Sequence, residues 1–475
     1  MTFLDNLKKP TLFGHPVTPE LFALLTVYFV QGILNLSRLA VSFFLKDDLG
    51  LTPAEVAALT GLAAFPWVVK PLFGFLSDGF PLFGYRRRSY LILSGLLGCG
   101  AWAAMATVVQ TPWLAATMIV SSSISIAISD VIADSVVVER ARAESLDKVG
   151  SLQSLTWAVA AVGSLTTAYL SGWLLEQFNT RVVFGITAIF PLLVSAIALL
   201  IIEQPQAQGS LRATGENITT QVKTLWGAVR QKTILLPMAF VFLWQATPSA
   251  DSAFFFFVTN ELDFNPEFLG RVRLVTSFAA LAGIYIYQRY LKQVSFRTML
   301  GWSTIISAVL GFTTLILVTH ANRGLGIDDR WFSLGDNLIL TVTGEIALMP
   351  ILVLSARLCP PGVEATMFAL LMSSWNLAGL LSHELGALLT QWLGVTETNF
   401  DRLWLLVTIT NLSTLLPLVF LKWLPAGDPQ ADLETQSPHS AVELYEHRAA
   451  ISGTESALFP TVEPSLVGSQ PEKQA

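Results

Sequence analysis

Asp130 and Asp134 follow the stretch "TPWLAATMIVSSSISIAI", residues 111–128, which carries no charge. On a helix, residues four apart share a face. Two carboxylates that close disfavour double ionisation, so the pair is a candidate for holding and exchanging one proton. The alternative is a salt-bridge lock that never titrates. Glu139, Arg140 and Arg142 end the same motif, "SDVIADSVVVERAR", and read as an inner gate beside Arg86, Arg87 and Arg88.

Other polar side chains interrupt apolar stretches. Gln31, Asn35 and Arg38 are spaced four and three apart and share one face. Trp67 with Lys70, Gln245 with Asp251, Arg271 with Arg273, Glu345, Trp375 with Asn376, and His383 with Glu384 complete the set. A charge at the centre of a membrane helix costs about 2.5–3.5 kcal/mol, so these groups face partners or water. A structural network is the competing reading: Arg38 with Asp251, or Lys70 with Asp130 or Asp134. A single tryptophan is more often core or lipid-facing than part of a site.

The elements that must hold these residues are membrane helices. The chain has 475 residues, 53% hydrophobic and only 13% charged, about half the usual share of charge. Apolar segments of about 20 residues, long enough to span a bilayer, recur at roughly 20–45, 53–77, 89–109, 113–139, 150–177, 182–202, 233–259, 267–289, 297–319, 335–357, 364–393 and 402–423. The fold class read from this is an all-α membrane protein of twelve transmembrane helices. Of 28 Lys and Arg, 19 fall on the side of the termini and five on the other. The remaining four, Arg38, Lys70, Arg271 and Arg273, lie inside spans. This positive-inside bias puts both termini in the cytoplasm. The expected organisation is a cytoplasmic N-terminus 1–19, a six-helix half 20–202, a cytoplasmic connector 203–232 with a short amphipathic helix near 218–230, a second half 233–423, and a disordered tail 424–475. The first span is expected to serve as its own insertion signal. Two cysteines and five histidines show no metal spacing. No nucleophile motif and no basic patch beyond the loops is visible, so an enzyme, a cofactor and a nucleic-acid partner are not expected.

The halves repeat one another. "DDLGLTPAEVAALT" enters the second span and "NELDFNPEFLGRVR" the eighth; Leu49, Leu51 and Pro53 match Leu262, Phe264 and Pro266 at a constant offset of 213. In each, a proline opens a helix where its missing N–H costs nothing. Two six-helix halves suggest a transporter with its site at their interface. The loop "GFLSDGFPLFGYRRRS" resembles the latch between helices 2 and 3 of the major facilitator superfamily, with Gly74, Asp78, Gly84 and Arg86–Arg88 in the matching places. Its "GFPLF" makes it longer than the usual pattern. Plain anchoring by the three arginines leaves Asp78 unexplained.

Four stretches together resemble the folate–biopterin transporter family, a branch of that superfamily. They are "YFVQGILNLSRLAVSFFLKDDLGLTPAE", "SDVIADSVVVERAR", "FLWQATPSADSAFFFFVTNELDFNPEFLGRVRLVTS" and "CPPGVEATMFALLMSSWNLAGLLS". The resemblance covers most of 20–420 and implies import of folates or pterins with protons across a bacterial inner membrane, by a protein expected to be a monomer. A pterin offers adjacent N–H donors that a carboxylate accepts in pairs. The two carboxylates of a glutamate tail want guanidinium forks, and an indole such as Trp67 or Trp375 stacks on the ring. On that reading Asp130 and Asp134 carry the proton, Glu345 meets the pterin, and Arg38 meets the tail, with Arg271 or Arg273 as the weaker choice. The alternatives are a transporter of another heteroaromatic metabolite, and a membrane assembly or pigment-handling factor with a facilitator-like fold; the intramembrane polar residues argue against the sealed apolar interior of the latter.

Overall fold

Proline and small polar caps set where the helices begin. Thr52 closes a capping box, its Oγ1 accepting from the N–H of Glu55 at 3.3 Å while Glu55 Oε2 accepts from the N–H of Thr52 at 2.9 Å. Pro53 follows as the first helical residue. Asn265 with Pro266 opens the matching helix in the second half by a simple N-cap, its Oδ1 accepting from Phe268 N–H at 3.2 Å.

The computed structural model describes residues 11–12, 15–16, 18–142, 151–201, 203, 227, 229–291, 293–358 and 364–425. A short ribbon pairs β1 (Thr11–Leu12) with β2 (His15–Pro16). The helices follow: α1 Pro19–Asp48, α2 Pro53–Ser77, α3 Arg88–Thr107, α4 Pro112–Arg142, α5 Ser151–Gln177 and α6 Thr180–Leu200. Then come α7, in pieces Lys232–Gln245, Asp251–Phe256 and Phe257–Glu261, α8 Pro266–Leu291, α9 Phe296–Val318, α10 Asp329–Arg357, α11 Glu364–Leu393 and α12 Leu403–Trp423. Among the described residues, ten helices are long and apolar enough to cross a membrane unaided. The two others are explained by their residues. Pro248 lies in the gap that interrupts α7, and Ser373, Ser374, Asn376, Ser382, His383 and Glu384 dilute α11.

The internal repeat holds in atomic detail. Phe44–Asp48 and Phe257–Glu261 are both π turns, at the same offset of 213. Leu51 N–H reaches Leu45 O at 3.0 Å, and Phe264 N–H reaches Val258 O at 2.9 Å. Gly50, at φ 63°, has its counterpart in Asp263, at φ 52°. The left-handed backbone that glycine adopts freely is thus kept in the second half at the expense of some strain. Two copies of one helix-end device mark the same point in each half.

The halves meet through α2 against α11 and α5 against α8. The contact is tightest at the end bearing the two repeated turns. A Cβ on Gly172 of α5 would lie 2.2 Å from Pro266 O and 2.7 Å from Gly270 Cα of α8. Backbone therefore meets backbone there. Tyr169 OH donates to Glu267 Oε1 at 3.0 Å across the same joint. Phe256 of α7 is fully buried in a core whose other buried members come from the first half, among them Phe44, Trp102, Met105 and Phe184. Ser249, in the break of α7, donates its N–H to Ser382 O of α11 at 3.2 Å.

Two features differ from the sequence expectation. α10 begins at Asp329, about two turns before residue 335. Asp329 accepts from Arg323 Nη2 at 2.7 Å and from Asn322 Nδ2 at 2.6 Å, so its charge starts the helix instead of marking a loop. Asp336, one face further in, is buried and takes Thr313 and Thr314 hydroxyls from a break in α9. The span expected over 233–259 is likewise broken, at Ala246–Ala250. The amphipathic helix near 218–230 falls largely outside the described residues, as does the tail from 426.

Candidate functional site

Pro66 and Pro71 break α2 near Ala64 and Val69, so Lys70 opens the last helical segment. Its ammonium turns to α4 and bonds Asp130 Oδ2 and, at 3.2 Å, Asp134 Oδ2. One lysine thus serves both aspartates. The phenol of Tyr28 on α1 donates to Asp134 Oδ1 at 2.6 Å. Three helices of the first half are tied at one point. The Asp130 side chain is 15% exposed and that of Asp134 48%, so Asp134 is the member that solvent or a ligand reaches. Gln31, one turn beyond Tyr28, has a buried Nε2 with no hydrogen-bond partner among the described residues. It lines a small cavity of about 10 Å³ with Ser125 and Ser129.

Trp67 and Asn376 carry this layer across to the second half. Lys70 Nζ lies 5.7 Å from the Trp67 ring centroid. Asn376 Nδ2 of α11 donates to Trp67 O at 3.2 Å. Trp375 stacks on Trp244 of α7, with centroids 6.0 Å apart and planes 27° apart. Trp244 is anchored in turn by Nε1 to Thr304 Oγ1 at 3.0 Å. Gln245 lies beside them with Nε2 against Gly379 of α11. Glu345 of α10 is half-buried where α10 packs on Gly283 of α8, and its carboxyl has no hydrogen bond to a described residue.

The cations nearer the fastened end divide into two kinds. Arg271 is exposed and spent on the surface, donating to Glu267 Oε1 at 2.6 Å in the cluster with Tyr169. Arg273 is half-buried and, among the described residues, its guanidinium reaches only Ser171 Oγ of α5, at 3.4 Å. Asn35 Nδ2 is taken up by Gly32 O and Ser164 Oγ, both at 3.1 Å, which locks α1 to α5. Arg38 is exposed one turn further along α1. Among the described residues no ion pair joins Arg38 to Asp251; Asp251 is exposed at the start of the second α7 piece.

At the connector end, Glu203 was not singled out by sequence. Its carboxylate accepts the backbone N–H groups of Arg86 at 2.6 Å, Arg87 at 3.0 Å and Arg88 at 3.0 Å, where α3 begins. The three arginines are therefore held by main chain as well as positioned by charge. The side chains of Asp78, Glu139, Arg140 and Arg142 lie outside the described residues, so the latch and gate expected there are not described. Tyr28, Trp244 and Glu203 are what residue-by-residue reading missed. Tyr28 stood three residues before Gln31 on its face, which was the one available signal.

A larger cavity, about 480 Å³, opens in the second half between Phe257, Glu261, His320, Asn399, Phe400 and Trp404. It holds none of the site residues expected from sequence.

The comparisons with known proteins agree with this architecture. Solved structures share the fold: a peptide transporter, POT, in complex with sulfate superposes with a TM-score of 0.66 at 15% identity, covering 87% of this chain and 95% of that one. The fold is that of the major facilitator transporters, in two pseudo-symmetric six-helix halves. A folate-biopterin transporter of Synechocystis sp. is 59% identical over 98% of this chain and 96% of its own length. Folate transporter 2 of Plasmodium falciparum is 31% identical over 85% of this chain and 88% of its own. The chain is an integral, multi-pass membrane protein. The sequence profile of the BT1 family matches residues 31–442. With that match spanning most of the chain, the protein belongs to the BT1 family, the folate–biopterin transporters its motifs resemble, and it is a membrane transporter and not an enzyme.

Proposed function

We propose that the protein imports folates or pterins together with protons, by alternating access to a central site between its halves. The observation that carries the coupling is the shared lysine. Lys70 brings one positive charge to the two negative charges of Asp130 and Asp134. One proton on the pair makes the group neutral, and a neutral group is far cheaper to enclose in a membrane protein than a charged one. Asp134 is the accessible member. Protonated there, it gives up its hold on the Lys70 ammonium, and Lys70 rests on Asp130 alone. The Tyr28 phenol, bonded to Asp134, passes the change to α1. Proton binding is thereby linked to how α1, α2 and α4 pack.

The substrate class rests on the relatives' names, folate-biopterin transporter and folate transporter 2, and on the chemistry at hand. Trp67 and Trp375 offer ring faces, and Glu345 offers an unengaged carboxyl for paired N–H donors. The fastening of α5 to α8 at one end suits a state open toward the other, the connector end. In this reading residues 1–19, 203–232 and 424–475 lie in the cytoplasm. Cells expressing the protein are expected to accumulate labelled folate or biopterin, more so in acidic medium. Accumulation no greater than in cells lacking the protein, for both compounds, would refute the reading.

A further inference from the structure

The cavity of about 480 Å³ in the second half lies where the first half carries a guanidinium. In the first half, the end of α1, the end of α3 and the start of α6 meet at Arg181. Its guanidinium carbon lies 5.4 Å from the centre of the Phe44 ring. Nη1 donates to Met105 O at 3.2 Å and Nη2 to Val109 O at 2.8 Å. Phe184 meets Phe44 edge to face, with centroids 5.4 Å apart. Asp48, at the end of the π turn, accepts from Thr180 Oγ1 at 2.5 Å. Cation, ring and carboxylate are all engaged at this corner.

The second half repeats the corner without the cation. The matching elements, six helices on in each case, are the end of α7, the end of α9 and the start of α12. Phe257 takes the place of Phe44 at the offset of 213, and Phe400 meets it edge to face with centroids 5.6 Å apart. Arg402 stands at the start of α12, but it is exposed and does not line the cavity. Among the described residues that do line it there is no Lys or Arg. Arg323, three residues past His320, is committed to Asp329. Glu261 ends the turn as Asp48 does, yet its carboxylate has no hydrogen bond to a described residue; His320 Nε2 stands off at 3.8 Å. Asp401 adds a second carboxylate to the lining.

The corner thus keeps its aromatic wall, gains an acid and lacks a base. An aromatic face attracts a cation within about 6 Å. A carboxylate takes a guanidinium through two parallel bonds. The space also exceeds one guanidinium, since pockets of about 300–1,000 Å³ hold whole small molecules.

We propose that this cavity is a second ligand site, apart from the Lys70 cluster and the tryptophan layer, and that it takes a small molecule bearing a guanidinium group. Glu261 and Asp401 receive the flat cation, and Phe257, Phe400 and Trp404 meet its body. The bound molecule ties α7, α9 and α12 together as Arg181 ties α1, α3 and α6. In the proposed orientation the cavity is on the outer side, at the end opposite the connector.

The test uses purified full-length protein and three probes of one size. They are n-butylguanidinium, its neutral isostere n-butylurea, and n-butylammonium, a cation without the fork. The guanidinium is expected to raise the unfolding temperature saturably, as a ligand of the folded state does, and to change tryptophan fluorescence. The fluorescence change should vanish in Trp404→Phe. Butylammonium should bind more weakly and butylurea should have no saturable effect. Glu261→Gln and Asp401→Asn should each weaken guanidinium binding roughly tenfold. Without probe, both variants should unfold at the parent temperature, since Asp401 is exposed and the Glu261 side chain is 50% exposed. No saturable response in the parent protein would overturn the site. So would an equal response to butylurea, or a guanidinium response that survives unchanged in both variants.

Discussion

Asp130 and Asp134 were legible as a pair because four-residue spacing in an uncharged run has few explanations. Sequence leaves the pair open between a shared proton site and a salt-bridge lock with Lys70, and the structure gives both aspartates to Lys70. Salt bridge and proton site are therefore not rivals here, since one cation cannot balance two anions. Tyr28 was not legible. A tyrosine in a membrane helix has many ordinary uses, and only the position of α4 shows that its hydroxyl meets a carboxylate. That bond gives a sharp test. Tyr28→Phe keeps the ring and removes a hydrogen bond to a charged group, worth about 1.5–3 kcal/mol. Proton-driven accumulation should fall roughly tenfold or more on that scale, with folate affinity unchanged, as read by uptake and equilibrium binding on the same preparation. Unchanged accumulation would mean that Tyr28 serves packing alone.

At the scale of elements, ends were easier to read than breaks. Pro53 and Pro266 announced α2 and α8, and their offset announced the repeat, which the paired π turns bear out. The interruption of α7 had a signal in Thr247-Pro248, but an apolar run on both sides masked it. The break in α9 had none, because Asn411, which donates to the freed Ala308 O, and Asp336, which accepts the Thr313 and Thr314 hydroxyls, come from other helices. Helix contacts across the halves were equally hidden. Gly172 and Gly270 are ordinary glycines in sequence, and only the fold brings them together. Gly172→Ala places a methyl where Pro266 O already lies at 2.2 Å. Overpacking of this kind costs about 1–3 kcal/mol, which should spread α5 from α8 at that end. Spin labels at Phe178 and Glu261 should report a longer or broader distance than in the parent protein. An unchanged distance would show that the joint yields elsewhere.

At the scale of the molecule, twelve spans, two halves and membrane class followed from hydropathy and charge bias, which physics ties directly to the bilayer. What sequence did not show is which ends of the halves touch. That depends on a few close contacts between helices distant in the chain. The topology itself is tested by reporter fusions at Gln208 and Pro429. Both should behave as cytoplasmic, and a signal from the opposite face at either position would break the proposed arrangement of connector and tail.

The Lys70 cluster is the proposed carrier of the proton that drives transport, and proteoliposomes test it directly. Proteoliposomes holding wild-type, Asp134→Asn, Asp130→Asn or Glu345→Gln protein would be given labelled folate with and without an imposed pH gradient. Asp134→Asn is expected to lose uphill, gradient-driven accumulation yet keep exchange of folate down its own gradient, with Asp130→Asn behaving alike. Glu345→Gln should keep the response to the gradient and bind more weakly. Full gradient-driven accumulation by both aspartate variants would show that the proton travels elsewhere and that the cluster is only a brace between α1, α2 and α4.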